Sequence, residues 1–74
     1  MVRDTSELLV RFGKRVRELR RASGASQEAF ADQCGLDRTY ISSIERGQRN
    51  VSLENLKVLS KALNVTLSRL LAGL

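Results

Sequence analysis

The stretch that decides the fold is residues 26–47, SQEAFADQCGLDRTYISSIERG. Ser26 is a strong helix N-cap, because its hydroxyl can accept from an amide of the first turn that has no helical partner. A short helix is therefore expected over about residues 27–34, with Phe30, Ala31 and Cys34 as its apolar face. Gly35 stops it, in a positive-φ conformation that side chains with a Cβ adopt reluctantly. Asp37 then caps a second helix that runs to about Arg46, with Ile41 and Ile44 turned inward, and Gly47 ends it. Two short helices joined at a steep angle by Gly35-Leu36-Asp37 make a helix-turn-helix. Ala31 is small enough for the second helix to pack close against it. Ile41 and Ile44 bury the back of that helix, so its front is free to enter a groove.

Outward from this segment the helical pattern continues on both sides. Residues 5–22 carry a 3.6-residue period, with Leu8, Leu9, Phe12, Val16 and Leu19 on one face and Lys14, Arg17 and Arg21 opposite. Asp4 is a candidate cap, with Glu7 three residues on. Gly13 sits inside this helix against its propensity, at about 1 kcal/mol relative to alanine. Downstream, Ser52 caps a fourth helix of roughly residues 53–63, Asn64 is a plausible residue just past its end, and Thr66 caps a last helix over 67–72. The expected fold class is all-α, five short helices in one domain spanning residues 1–74.

Composition limits what such a domain can be. A chain of 74 residues buries only about 60–65% of its unfolded surface. It has one cysteine, Cys34, and no histidine, so neither a disulfide nor the ordinary Cys/His zinc sets can staple it. Association with a second copy is the remaining source of burial. Thirteen Lys and Arg against eight Asp and Glu give +5, which favours a polyanionic partner. The longest apolar run is three residues, as at 8–10, which excludes a transmembrane helix, and no apolar signal segment opens the chain. Free Cys34 fits a reducing cytoplasm, and burial in the core is its expected role. No nucleophile–base pair or Gly-rich phosphate loop is present, so neither catalysis nor a cofactor nor a small-molecule ligand is expected.

The front of the second helix of the motif carries Arg38 and Thr39 in its first turn, Ser42 and Ser43 in the next and Arg46 at its end. The N-terminal part of such a helix reaches base edges in the major groove. Arg38 can pair bidentately with guanine O6 and N7, and Thr39 offers a hydroxyl and a methyl. Ser42 and Ser43 permit close approach. Arg46, Arg49 and Asn50 form a basic loop suited to phosphate oxygens.

The run SQEAFADQCGLDRTYISSIERGQRNVSLENL, with FGKRVRELRRASG before it and LKVLSKALNVTLSRLL after it, resembles the lambda-repressor/Cro-like (Xre-type) helix-turn-helix family. The resemblance covers about residues 11–71. Within that family the chain looks most like small stand-alone regulators, including the controller proteins of restriction–modification systems. The resemblance implies a five-helix fold that reads double-stranded DNA through its second and third helices. It implies base-reading positions at Arg38, Thr39 and Ser43, and a phosphate anchor at Gln27 that also braces the reading helix. Tyr40, Arg46, Arg49 and Asn50 match positions that face the DNA backbone. Arg20 and Glu45 match a buried ion pair tying the first helix to the third. Ser42 and Ser43 are short where some relatives carry glutamine.

Two further expectations concern surfaces. The basic residues Lys14, Arg17 and Arg21 are read as a solvated face pointing away from the groove. Residues 51–74 hold 13 hydrophobic residues in 24, against 18 in the first 50. Val65, Leu67, Leu70, Leu71 and Leu74 exceed what a short terminal helix needs, and the last four are assigned to a two-fold dimer interface built from the fourth and fifth helices. Such a dimer presents two reading helices about 34 Å apart, one turn of a palindromic operator. The competing reading is an antitoxin-type protein-interaction module that also binds DNA, for which the chain offers no wrapping tail.

Overall fold

The computed structural model describes residues 6–74, and the Asp4 cap lies outside them. Five helices follow one another: α1 Ser6–Ala22, α2 Gln27–Cys34, α3 Arg38–Glu45, α4 Leu53–Ala62 and α5 Leu67–Leu70. Among the described residues there is no strand. The expected all-α architecture is the observed one. The last helix is shorter than its periodicity suggested, ending at Leu70 rather than 72.

The helix starts follow from local chemistry. Ser26, Asp37, Ser52 and Thr66 each sit in extended backbone and accept a hydrogen bond from an amide of the following turn. The helix ends are equally local. Gly35 takes φ +67°, and Leu36 N–H donates across it to the Ala31 carbonyl. The same six-residue closure recurs where Val65 N–H donates to Ser60 beyond Asn64, which has φ +57°. These closures satisfy carbonyls that the helix itself leaves open.

The core forms where α1 and α2 pack on α3, α2 packs on α4, and α4 packs on α5. Phe12 and Val16 of α1, Phe30 and Ala31 of α2, Ile41 and Ile44 of α3, Leu59 of α4, Leu63 just after it and Leu70 of α5 are its buried hydrophobic side chains. Leu70 is fully buried, and Leu67 is partly buried against the same core. This corrects the assignment of Leu70 to a dimer face. The short α5 turns it inward to close the bottom of the core, so it is unavailable to a second copy. Leu67 is mostly committed in the same way, and only Leu71 and Leu74 of that set remain exposed.

Gly13 resolves the one local conflict in the sequence. It is buried where α1 crosses the end of α3, and a Cβ there would fall 2.8 Å from the Glu45 carbonyl oxygen and closer still to that of Ile44. The glycine lets the two backbones touch. Helix propensity yields to close packing at that point.

Candidate nucleic-acid interface

α3 is held from behind by charge as well as by packing. Arg20 donates from Nε to Glu45 Oε2 at 2.6 Å and from Nη2 to Glu45 Oε1 at 3.0 Å. Its remaining Nη1 donates to the Ala25 carbonyl at 2.9 Å. Both residues are buried. This is the pair that the family resemblance implied. Gln27, the first residue of α2, adds a third donor to Glu45 Oε1 at 3.0 Å. Burial alone would raise the Glu45 carboxyl, but the hydrogen bonds from Arg20 and Gln27 and the nearby Arg20 and Arg17 charges outweigh it and hold it below its ordinary value. The hydrogen bond to Glu45 raises Arg20 in turn. The network locks the angle between α1, α2 and the end of α3.

With its back fixed, α3 presents a narrow front. Arg38 and Thr39 are exposed, Ser42 is half-buried and Arg46 is exposed. The Arg38 guanidinium makes no hydrogen bond or ion pair among the described residues, whereas the Thr39 amide is consumed by the Asp37 cap at 2.7 Å, leaving its side chain free. Arg46 donates from Nη1 to the Ser42 hydroxyl and reaches Gln48 from Nε at 3.3 Å. Ser42 therefore lies in the stripe but under an arginine.

Ser43 departs from its expected place. It is buried, its hydroxyl donates to the Tyr40 carbonyl at 2.8 Å, and it accepts from Arg49 Nε at 3.1 Å. The structure thus corrects its assignment as a base-reading residue. Its oxygen is already spent within the protein, and it acts as a bracket for the loop after α3. Arg49 is pinned there, with its guanidinium also 5.5 Å from the Tyr40 ring centre. The Tyr40 hydroxyl accepts from Asn55 Nδ2 of α4 at 3.1 Å. Tyr40, Ser43, Arg49 and Asn55 form one connected group that joins α3, the loop and α4. Asn55 gave no signal in the sequence beyond its place in the first turn of α4.

The basic face of α1 also needs correction in part. Arg17 does not point away from the site. Its Nε lies 3.9 Å from Glu45 Oε1, beside Gln27 at the start of α2, and its side chain is 52% exposed. The helical wheel places it opposite the apolar stripe, but the end of α3 packs across α1 beside Gly13 and brings Glu45 to that flank. Two arginines that the sequence did not single out have structural work. Arg11 Nη2 donates to the Gly73 carbonyl and Arg15 Nη2 to the Arg69 carbonyl, each at 2.7 Å, tying α1 to the last turns of the chain.

Cys34 is half-buried against the core, and burial pushes its thiol up to about 11, which keeps it protonated and unreactive. Among the described residues there is no cluster of Cys, Asp or Glu able to hold a metal ion, and no helix is long and apolar enough to cross a membrane. An apolar groove of about 410 Å³ is lined among others by Leu8, Leu9, Phe12, Asn50 and Val51.

Comparison with known proteins gives the same picture. The control protein C.MunI of Mycoplasma sp is 49% identical over 70 residues, covering 93% of this chain and 95% of that protein. The crystal structure of the restriction-modification controller protein C.AhdI from Aeromonas hydrophila superposes with a TM-score of 0.88 at 51% identity, covering 92% of this chain and 99% of that one. The biofilm regulator SinR, solved in complex with DNA, superposes with a TM-score of 0.77 at 34% identity, over 81% of this chain and 97% of that one. Residues 16–70 match the helix-turn-helix family HTH_3. With that match running from within α1 to the end of α5, and with the α2–turn–α3 geometry described above, the chain belongs to the Xre-type helix-turn-helix family.

Proposed function

We propose that this protein is a sequence-specific transcriptional regulator of the controller type, which binds double-stranded DNA as a homodimer on a pseudo-palindromic operator. The observation that carries the reading is the front of α3. Arg38 and Thr39 stand free at its N-terminal end, on a helix held rigidly from behind by Arg20, Glu45 and Gly13. A pre-ordered reading helix loses little backbone freedom on binding, so more of the available contact energy goes into recognition.

In this reading α3 enters the major groove. Arg38 takes guanine O6 and N7, and Thr39 reads the neighbouring pair. Ser42 sits over the next step under Arg46, where a water or the methylene alone separates it from the bases. Gln27, Tyr40, Arg46, Arg49 and Asn50 meet phosphates on either side, supplying affinity without sequence information. Controller proteins among its relatives support a role in regulating a restriction–modification locus. The whole chain serves as one DNA-binding domain, and its place of action is the cytoplasm, with the DNA.

In vitro selection of bound duplexes tests this directly. The expected product is a two-fold site with half-sites about one helical turn apart. Arg38→Ala should relax the preference at one base pair per half-site, at roughly 1–3 kcal/mol. Recovery of no preferred sequence at physiological salt refutes the function. Recovery of a site whose specificity ignores Arg38 refutes the residue assignment alone.

A further inference from the structure

We infer that Arg17 of α1 is a DNA phosphate contact, sharing one phosphate with Gln27 of α2. The inference rests on the DNA-binding reading above and adds α1 to the binding surface.

No acid of the chain uses the charge of Arg17 fully. Glu45 Oε1 lies 3.9 Å from Arg17 Nε, beyond hydrogen-bond reach. That carboxylate is already committed. Its Oε2 accepts from Arg20 Nε, and its Oε1 accepts from both Arg20 Nη2 and Gln27 Nε2. Arg17 feels the field of Glu45 without spending a donor on it. Among the described residues it makes no other ion pair. Its neighbours along α1 at the three- and four-residue spacings are Gly13, Lys14, Arg20 and Arg21. Like charges at these spacings oppose the helix. With 52% of its side chain exposed, the guanidinium is open to an anion from outside, which would relieve that repulsion.

Position selects a phosphate of the bound duplex as that anion. Gln27 Nε2 is 3.0 Å from the same Glu45 oxygen, so both nitrogens lie within 4 Å of one atom. One hydrogen of the Gln27 amide goes to Glu45, and the other is unspent. The two free oxygens of a single phosphate can bridge donors this close, and the guanidinium fork suits them. Glu45 ends α3, the helix whose front faces the groove, so a phosphate at this point belongs to the backbone beside that groove. The other cations of the α1 flank are turned away from it. Arg17 stands about 40° round α1 from Gly13, which touches α3, whereas Arg21 and Lys14 stand about 80° and 100° round.

The test is fluorescence anisotropy titration of the full chain against the selected operator and a scrambled duplex, over a salt series. Each variant is checked for native circular dichroism. Arg17→Met keeps the stem and removes the charge. It should weaken both duplexes roughly tenfold or more and lower the slope of log affinity against log salt by about 1. Arg17→Lys should restore most of that slope. Lys14→Met and Arg21→Met remove the same net charge and should stay within about twofold of wild type, as screened charges without a contact. A neutral methylphosphonate placed at each backbone position in turn should find one phosphate per half-site whose loss weakens the wild type but not Arg17→Met. Equal losses in all three charge-removing variants, or no phosphate to which Arg17→Met is insensitive, overturn the contact and leave the DNA-binding reading standing. A wild-type chain that binds no duplex at any salt overturns both.

Discussion

Replacing Gly13 by alanine sets two effects of similar size against each other. Inside a helix alanine is favoured over glycine by about 1 kcal/mol, so an isolated peptide of residues 6–22 should gain helix on substitution. In the folded chain the added methyl would lie 2.8 Å from the Glu45 carbonyl oxygen and closer to that of Ile44. Carbon–oxygen contacts ordinarily sit at about 3.3 Å or more. Both obstructing atoms are backbone of the last turns of α3, so neither can swing aside as the end of a side chain could. Overpacking of this kind costs about 1–3 kcal/mol. Two backbone clashes put it at the upper end, and after the propensity gain a net destabilisation of about 1–2 kcal/mol remains. In a domain of this size each kcal/mol moves Tm by about 4–8 °C. Melting must be compared at fixed protein concentration, because association makes Tm concentration-dependent. The same separation of α1 from α3 stretches the Arg20–Glu45 pair, so the folded fraction of Gly13→Ala should also bind DNA more weakly. A variant that melts higher than wild type would refute the close crossing of α1 and α3.

Four other perturbations probe the rest of the argument. Glu45→Ala leaves the buried Arg20 guanidinium with the Ala25 carbonyl as its remaining partner and should cost about 3–5 kcal/mol by urea denaturation, whereas Arg20→Met with Glu45→Leu together should cost much less. Because the Glu45 carboxyl is held below its ordinary value of 4.5, its contribution is complete above that pH and is lost as pH falls through the folded value. Acidification below about pH 4.5 should lower the urea midpoint of wild type more than that of Glu45→Gln. Arg49→Ala should weaken specific and scrambled duplexes alike and reduce the slope of log affinity against log salt by about 1 in fluorescence anisotropy titrations, and a loss confined to the specific site would contradict its phosphate role. Arg15→Met removes one charged hydrogen bond to Arg69 but also a buried Nε without a partner, so its net cost should stay below about 1.5 kcal/mol, while amide exchange in α5 quickens.

The comparison of Ser42 with Ser43 indicates how far a sequence reaches into a binding site. One position separates two identical side chains on α3. Ser42 stays at the front, while Ser43 is buried because Arg49 folds back over it from the loop. No periodicity within α3 reports the path of a loop that follows it. Leu70 and Leu71 teach the same lesson in apolar terms. Both add to the hydrophobic surplus of the C-terminal third, but α5 is one turn long, and its docking on α4 decides that Leu70 closes the core and Leu71 remains outside. Arg17 was misjudged for a related reason, since the wheel of α1 carries no information about where α3 crosses it.

Helix starts, by contrast, were written in the chain. Ser26, Asp37, Ser52 and Thr66 start helices, and Gly35 and Asn64 reverse the backbone after them, because each acts on amides and carbonyls within one turn of itself. The burial of Ile41 and Ile44, and with it the outward direction of Arg38 and Thr39, follows from a 3.6-residue period. Local chemistry and periodicity thus suffice for five helices and for the front of α3. The tertiary structure alone decided which polar groups on that front were already spent, why Gly13 stands inside a helix, and which leucines are left over. Those outcomes depend on contacts between residues far apart in the chain, where packing is set by shape and distance and not by spacing.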